Sequence, residues 1–205
     1  MESSFGGTEL PASFTAKAGT ISFVAAGSVR HSGSAVRDAL KSWKVAKHDL
    51  DPAARDAAEF ADLAYRQWAY YGRGLAVART LRELKSIIRN NPKAEVAVLL
   101  LAKVPVGRLR LGIGGICLFR RTWYNNIYID FLVKHPLSRF GGTGTALLRF
   151  LTLVATSLKC DAIWGETTQN SVDFYERAIG TKMTDMLYLD RETYEALARQ
   201  AATSK

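Results

Sequence analysis

The sequence predicts an α+β fold, a mixed sheet with helices on both faces. Three observations predict it. Ile127, Ile129, Phe131 and Val133 alternate with Tyr128, Asp130 and Leu132, the period of a half-buried strand. Glu95 to Val104 is a continuous apolar run that reads as a buried strand. Along the chain the segments follow as β, α, α, β, β, β, α, β, α, β, an order that suits neither a barrel nor a sandwich.

The elements follow in order. Residues 1–41 are rich in Gly, Ser, Ala and Thr and read as an N-terminal arm, partly disordered or packed as an edge, with a short strand over Ile21–Ala25. A domain over 42–205 follows, with no internal repeat or linker. Its first strand is expected over Trp43–Leu50. Asp51 then caps a helix with Pro52 at its first position. Ala57, Phe60, Ala61 and Ala64 keep that helix's apolar face to about Tyr70, and Tyr71-Gly72-Arg73-Gly74 reads as its break. A second helix runs from about Thr80 to Arg89 over Leu81, Leu84 and Ile88, with Arg82, Lys85 and Arg89 on its other side. Asn90-Asn91-Pro92 ends it. Leu111 to Arg120 is a strand whose glycines mark a bulge or a close backbone approach. Trp123–Asn126 turns the chain into the alternating strand, which Pro136 ends. Leu147, Leu151, Val154 and Leu158 form the stripe of a long helix, and Ala162–Glu166 reads as the next strand. A helix opening at Asn170 or Ser171 and a closing strand complete the series.

Composition narrows the class. The chain has 205 residues, enough for one sizeable core, and its 48% apolar fraction is that of a globular protein. No apolar run approaches the ~20 residues of a membrane span, and no secretory signal opens the chain, so the cytoplasm is the expected compartment. Cys117 and Cys160 lack metal-ligand spacing and read as reduced thiols, so no metal is expected. The net charge is +9, and the segment from Leu63 to Arg121 carries twelve Lys or Arg against Glu83 and Glu95. That field suits an anionic partner such as CoA or nucleic acid, or simply a solvated basic face.

Between the alternating strand and the long helix lie Gly141, Gly142 and Gly144, a run of bare backbone amides at a helix N-terminus. Such amides favour phosphate. A Walker loop needs Lys-Ser/Thr where Thr145-Ala146 stand. A Rossmann fingerprint needs a third glycine where Leu147 stands, and the chain after Thr167 is too short for a doubly wound sheet. The stretch from Leu132 through Pro136 and Arg139 to Gly144 instead resembles the acetyl-CoA signature of the GNAT N-acetyltransferase superfamily, with Arg139, Gly142 and Gly144 in its Arg-x-x-Gly-x-Gly positions. The order of elements also resembles that family's, which implies a GNAT fold with a mostly antiparallel sheet.

The resemblance implies a site. Acetyl-CoA would be the co-substrate, its pyrophosphate held by backbone amides from Arg139, Phe140, Gly141, Gly142, Thr143, Gly144 and Thr145, its pantetheine arm against the backbone of Leu132 and Val133. Asn170 to Gly180 resembles the second GNAT signature, departing from it at Thr168 and Thr181, and places Tyr175 as the acid that protonates the CoA thiolate. Asp130 falls where polyamine-type GNAT enzymes carry a base. It reads equally as a strand carboxylate paired with Arg120 or Arg121, and Glu166 borders the same region. His135 is given no role. Trp68, Tyr70, Tyr71 and Arg73 are candidates for the acceptor pocket.

The expected function is therefore acetyl transfer from acetyl-CoA to a primary amine by direct attack in a ternary complex. A GNAT-type enzyme acting on aminoacyl-tRNA or another nucleic-acid-bound amine, and a CoA-binding module without turnover, are the alternatives. No membrane partner is expected, a homodimer is left open, and the acceptor is not readable from sequence.

Overall fold

The computed structural model describes residues 3–4, 13–16, 19–26, 36–38, 40, 43, 52–105, 111–136 and 140–203. One mixed sheet joins nine strands among them: β1 (Ser3–Ser4), β2 (Ser13–Ala16), β3 (Gly19–Ala25), β4 (Ala76–Val77), β5 (Val96–Pro105), β6 (Leu111–Arg121), β7 (Ile127–Lys134), β8 (Ala162–Glu166) and β9 (Met186–Asp190). The order across the sheet is β1-β3-β5-β6-β7-β8-β9, with β2 on β3 and β4 on β5. Neighbours are antiparallel except β4 with β5 and β7 with β8. Among the described residues the helices with defined bounds are α1 (Pro52–Gly74), α2 (Leu81–Asn90), α3 (Thr143–Leu158), α4 (Val172–Ile179) and α5 (Arg191–Thr203).

β5 shows why the sheet needs cover on both faces. Its side chains are buried nearly throughout and alternate between two cores. Val96, Val98 and Leu100 meet α2, α3 and α5, while Ala97, Leu99 and Leu101 meet α1. The strand expected at Ile21–Ala25 forms and pairs with β5. Residues 44–51, where a first strand and the Asp51 cap were expected, lie outside the described residues.

Three expectations need correction. The first helix does not break at Tyr71 but runs through Gly74. Each glycine inside a helix costs about 1 kcal/mol. Tyr71 offsets this by continuing the stripe of Ala61, Ala64, Tyr65 and Trp68 into the core. The chain also does not end its regular structure at β9. Asp190 accepts a hydrogen bond from the Thr193 amide at 2.9 Å and so starts α5 directly from the strand, and Tyr194 buries α5 against the same core as α3.

The third correction concerns the alternating strand. In the β6–β7 register Leu118 faces Phe131 but Phe119 faces Ile129, so Asp130 is an extra residue, a β-bulge. A one-residue insertion flips every later side chain to the other face. Ile127 and Ile129 therefore pack toward α3, but beyond the bulge Leu132 packs there instead. Phe131 and Val133 turn toward α1. Asp130 and Phe131 point the same way, onto Tyr71 and Phe60 of α1 respectively.

β6 bends by the same device. Ala102 faces Gly115 and Lys103 faces Ile113, which leaves Gly114 as the extra residue. Gly115 lets the first turn of α3 settle onto the sheet: a Cβ there would lie 2.8 Å from the Thr143 methyl and 3.2 Å from the Val133 carbonyl oxygen. Gly115→Val should therefore cost about 2 kcal/mol as overpacking, a fall of about 4–8 °C in Tm by calorimetry.

Candidate active site

The parallel pair β7–β8 is joined over only three residues, Ile127 to Ile163, Tyr128 to Trp164 and Ile129 to Gly165. Gly165 allows that last step, because a Cβ there would stand 2.8 Å from the Ile129 carbonyl oxygen. From Asp130 on, β7 keeps β6 on one side and has no strand on the other among the described residues. The sheet thus parts at the bulge, and the two faces of the slot are lined by different chemistry.

On the α1 face sits a polar group. The Asp130 side chain is 8% exposed. Arg120 donates to both its oxygens, from Nε to Oδ2 at 3.1 Å and from Nη2 to Oδ1 at 3.1 Å, and the Tyr71 hydroxyl donates to Oδ1 at 2.9 Å. Arg120 also reaches Glu95 at 3.7 Å and lies over the rings of Tyr71 and Tyr128 at 5.1 and 5.0 Å. Burial raises the Asp130 pKa above its ordinary value, with the Arg120 bonds pulling the other way. Burial and the Asp130 charge push the Tyr71 phenol up to about 12, so it stays a donor at neutral pH.

On the α3 face the glycine loop leads into the helix. Gly142 is the N-cap, with φ 86°, a left-handed conformation that favours glycine, and no side chain caps the first turn. Gly141 and Gly142 are exposed, and a Cβ on Gly141 would meet nothing within 4 Å. Thr143 is buried, and its hydroxyl donates to the Phe140 carbonyl at 3.2 Å, so its side chain is spent inside the fold. Gly144 is closed in: a Cβ there would lie 3.0 Å from the Phe174 ring and 3.8 Å from Leu132. That contact ties the tip of α3 to α4 and to the free edge of β7.

Tyr175 follows Phe174 and is 5% exposed. Its hydroxyl has no hydrogen bond among the described residues. Burial first, then the Cys117 thiol nearby, pushes its pKa up. Cys117 is the β6 partner of Leu132, which places this phenol against the parted stretch of β7. Tyr175 and Asp130 therefore flank one slot from opposite faces.

Arg139 lies outside the described residues. Of the four acceptor candidates only Tyr71 reaches the slot: Trp68 is core, and Tyr70 and Arg73 are exposed. Ser171 does not cap α4, since its hydroxyl is spent on Thr168, and Asn170 instead donates to Asp56 of α1. Four cations of the basic segment have partners within the fold. Arg66 meets Asp62, Arg79 meets Glu83, Arg120 meets Asp130, and the buried Arg121 donates to the carbonyls of Pro92 and Ala94. Sequence reasoning missed the Tyr71–Asp130–Arg120 group as a unit. Its available signal was Arg120 at the end of the strand before Asp130, with a short turn between.

Among the described residues no helix is long and apolar enough to cross a membrane, and no cluster of three His, Cys, Asp or Glu could hold a metal ion. No family model and no curated protein matches the sequence. Solved structures do match. The chain is 17% identical to nourseothricin acetyltransferase, with 45% of this chain covering 62% of that one at a TM-score of 0.36. It is 13% identical to a GNAT-family acetyltransferase from Staphylococcus aureus, covering 83% of this chain and 99% of that one at 0.44. It is 15% identical to the PaiA N-acetyltransferase of Thermoplasma acidophilum, crystallised with coenzyme A, covering 82% and 96% at 0.44. The structures it is similar to are thus acetyltransferases, two of the three spanned almost end to end.

Proposed function

We propose that the chain transfers the acetyl group of acetyl-CoA to a primary amine, by direct attack within a ternary complex. The observation that carries this reading is the slot itself. It begins at a buried carboxylate, is flanked by a protonated phenol, and opens beside a helix N-terminus with bare amides.

Each residue has a part in the reading. The amides of Phe140 to Thr145 receive the pyrophosphate, since Gly141 and Gly142 put no side chain in its way. The free β7 backbone at Leu132 and Val133 pairs with the pantetheine amides as an added strand would. This arrangement sets the thioester on the α3 face and leaves the α1 face for the amine. The amine nitrogen attacks the acetyl carbon, its proton leaves toward Asp130 through water, and the departing thiolate takes the Tyr175 proton. Asp130 is suited to the first task because burial raises its basicity, and Arg120 and Tyr71 fix its position. Tyr175 is suited to the second because its proton is not shared with any described residue.

A thiol-release assay with acetyl-CoA and a panel of primary amines, peptides and charged tRNA tests the reading. At least one small amine should release free CoA in step with its own acetylation. CoA binding without thiol release from any acceptor would replace the enzyme by a binding module.

A further inference from the structure

The α1 face of the sheet carries a second feature that the transfer chemistry does not use. Arg120, Tyr128, Trp164 and Tyr188 are direct cross-strand partners on β6, β7, β8 and β9. Partners in register share a face, so the four form one row across four strands. Tyr128 and Trp164 meet edge-to-face with centroids 4.5 Å apart. The inner end of the row is tied to α1 through Arg120 and Tyr71, but its outer end is open. Tyr188 is 62% exposed and its neighbour Met186 is 46% exposed. The opposite face of the same strands is fully used, with Ile127, Ile163, Leu187 and Leu189 in the core. Trp164 adds an orphan: its indole N–H is buried without a partner among the described residues.

Building on the transfer reading, we propose that Tyr128, Trp164 and Tyr188 form a platform for the acceptor, and that the preferred acceptors are primary amines carried on an aromatic ring. Continuity with the slot selects this occupant. The row ends at Arg120, which holds Asp130, so a ring lying on Trp164 and Tyr188 directs its side chain toward the parted edge. Asp130 lies one strand spacing of ~4.8 Å across from Trp164 and two residues of ~3.3 Å along β7, about 8 Å away, a gap filled by a two- or three-carbon amine chain together with the water that relays the proton. Glu166 lies beside the path, paired with Met186 across β8 and β9, and offers a carboxylate to the approaching ammonium. Aromatic stacking favours a flat ring over an alkyl chain of equal length.

The test uses the full-length chain with CoA present, comparing phenethylamine and tryptamine with butylamine and hexylamine. Calorimetry should show the aryl amines binding about tenfold more tightly, and thiol release should show the same preference in KM. Tyr188→Ala and Trp164→Leu should each erase the preference. Trp123→Ala, an exposed aromatic on the β6–β7 turn, should leave it intact. Equal affinity for aryl and alkyl amines, or a preference that survives both platform variants, would overturn the platform while leaving the transfer reading standing. Tight aryl binding without thiol release would do the reverse. A stable dimer in solution that shields Tyr188 and Met186 would also overturn it, by giving that surface another occupant.

Discussion

Tyr175→Phe should lower kcat about 10²–10³-fold while leaving the affinity for acetyl-CoA within about twofold of the native chain, the loss typical of a missing general acid. The change removes one oxygen from a side chain that is 5% exposed and makes no hydrogen bond with the described residues, so the fold has little reason to respond. The sign of the pKa shift matters here. Burial moves the phenol further above neutrality, so it remains fully protonated across the working range and can act only as a donor. The alkaline limb of the pH–rate profile should therefore not report Tyr175. Steady-state thiol release and a calorimetric titration, run on the same preparations, check both halves. An undiminished kcat would mean that the thiolate takes its proton from elsewhere.

Asp130→Asn should be costly in a different way. It removes the charge to which Arg120 donates three hydrogen bonds and leaves the guanidinium with Glu95, at 3.7 Å, as its one carboxylate partner among the described residues. Breaking a fully buried pair costs 3–5 kcal/mol; with Arg120 part-exposed, a loss of about 2–3 kcal/mol is expected, or about 5–10 °C in Tm. Activity should fall as well. Because burial raises the Asp130 pKa, the acidic limb of kcat/KM in the native chain should sit above the ordinary carboxylate range and should vanish in Asp130→Asn. A variant that loses stability but keeps that limb would reduce Asp130 to an anchor for Arg120. Thermal melts and a pH–rate profile separate the two roles.

Much of this arrangement was legible in the chain. The apolar run at Glu95–Val104 and the glycine loop before Leu147 each carry their own local signal, and both elements form. Tyr71 reads as a break because Gly72 and Gly74, which follow it, outweigh the stripe it continues, although its place three residues after Trp68 is the informative fact. α5 was missed although Asp190, Thr193 and Tyr194 give a start signal and a buried position. The bulge at Asp130 is a different kind of failure. Nothing in the β7 sequence marks it, because a bulge exists only relative to the partner strand, and register is a tertiary property. Perfect alternation from Ile127 to Val133 predicted Phe131 and Val133 on the wrong face for that reason. Yet this one residue sets the geometry of the slot, since it turns the carboxylate toward Tyr71 and marks where β7 leaves β8.

On the proposed function, the slot beside the bare amides of α3 receives acetyl-CoA. Gly141 tests it directly, because a Cβ there meets no protein atom within 4 Å and the residue's φ is not left-handed. Calorimetric titration of the native chain and of Gly141→Val with acetyl-CoA is the decisive measurement. The native chain should bind at micromolar concentration. Gly141→Val should keep its Tm within about 1 °C and lose at least about tenfold in affinity, as its side chain fills the space meant for phosphate. No heat of binding from the native chain at millimolar acetyl-CoA, or equal affinity in the two proteins, would rule out this loop as the acetyl-CoA site.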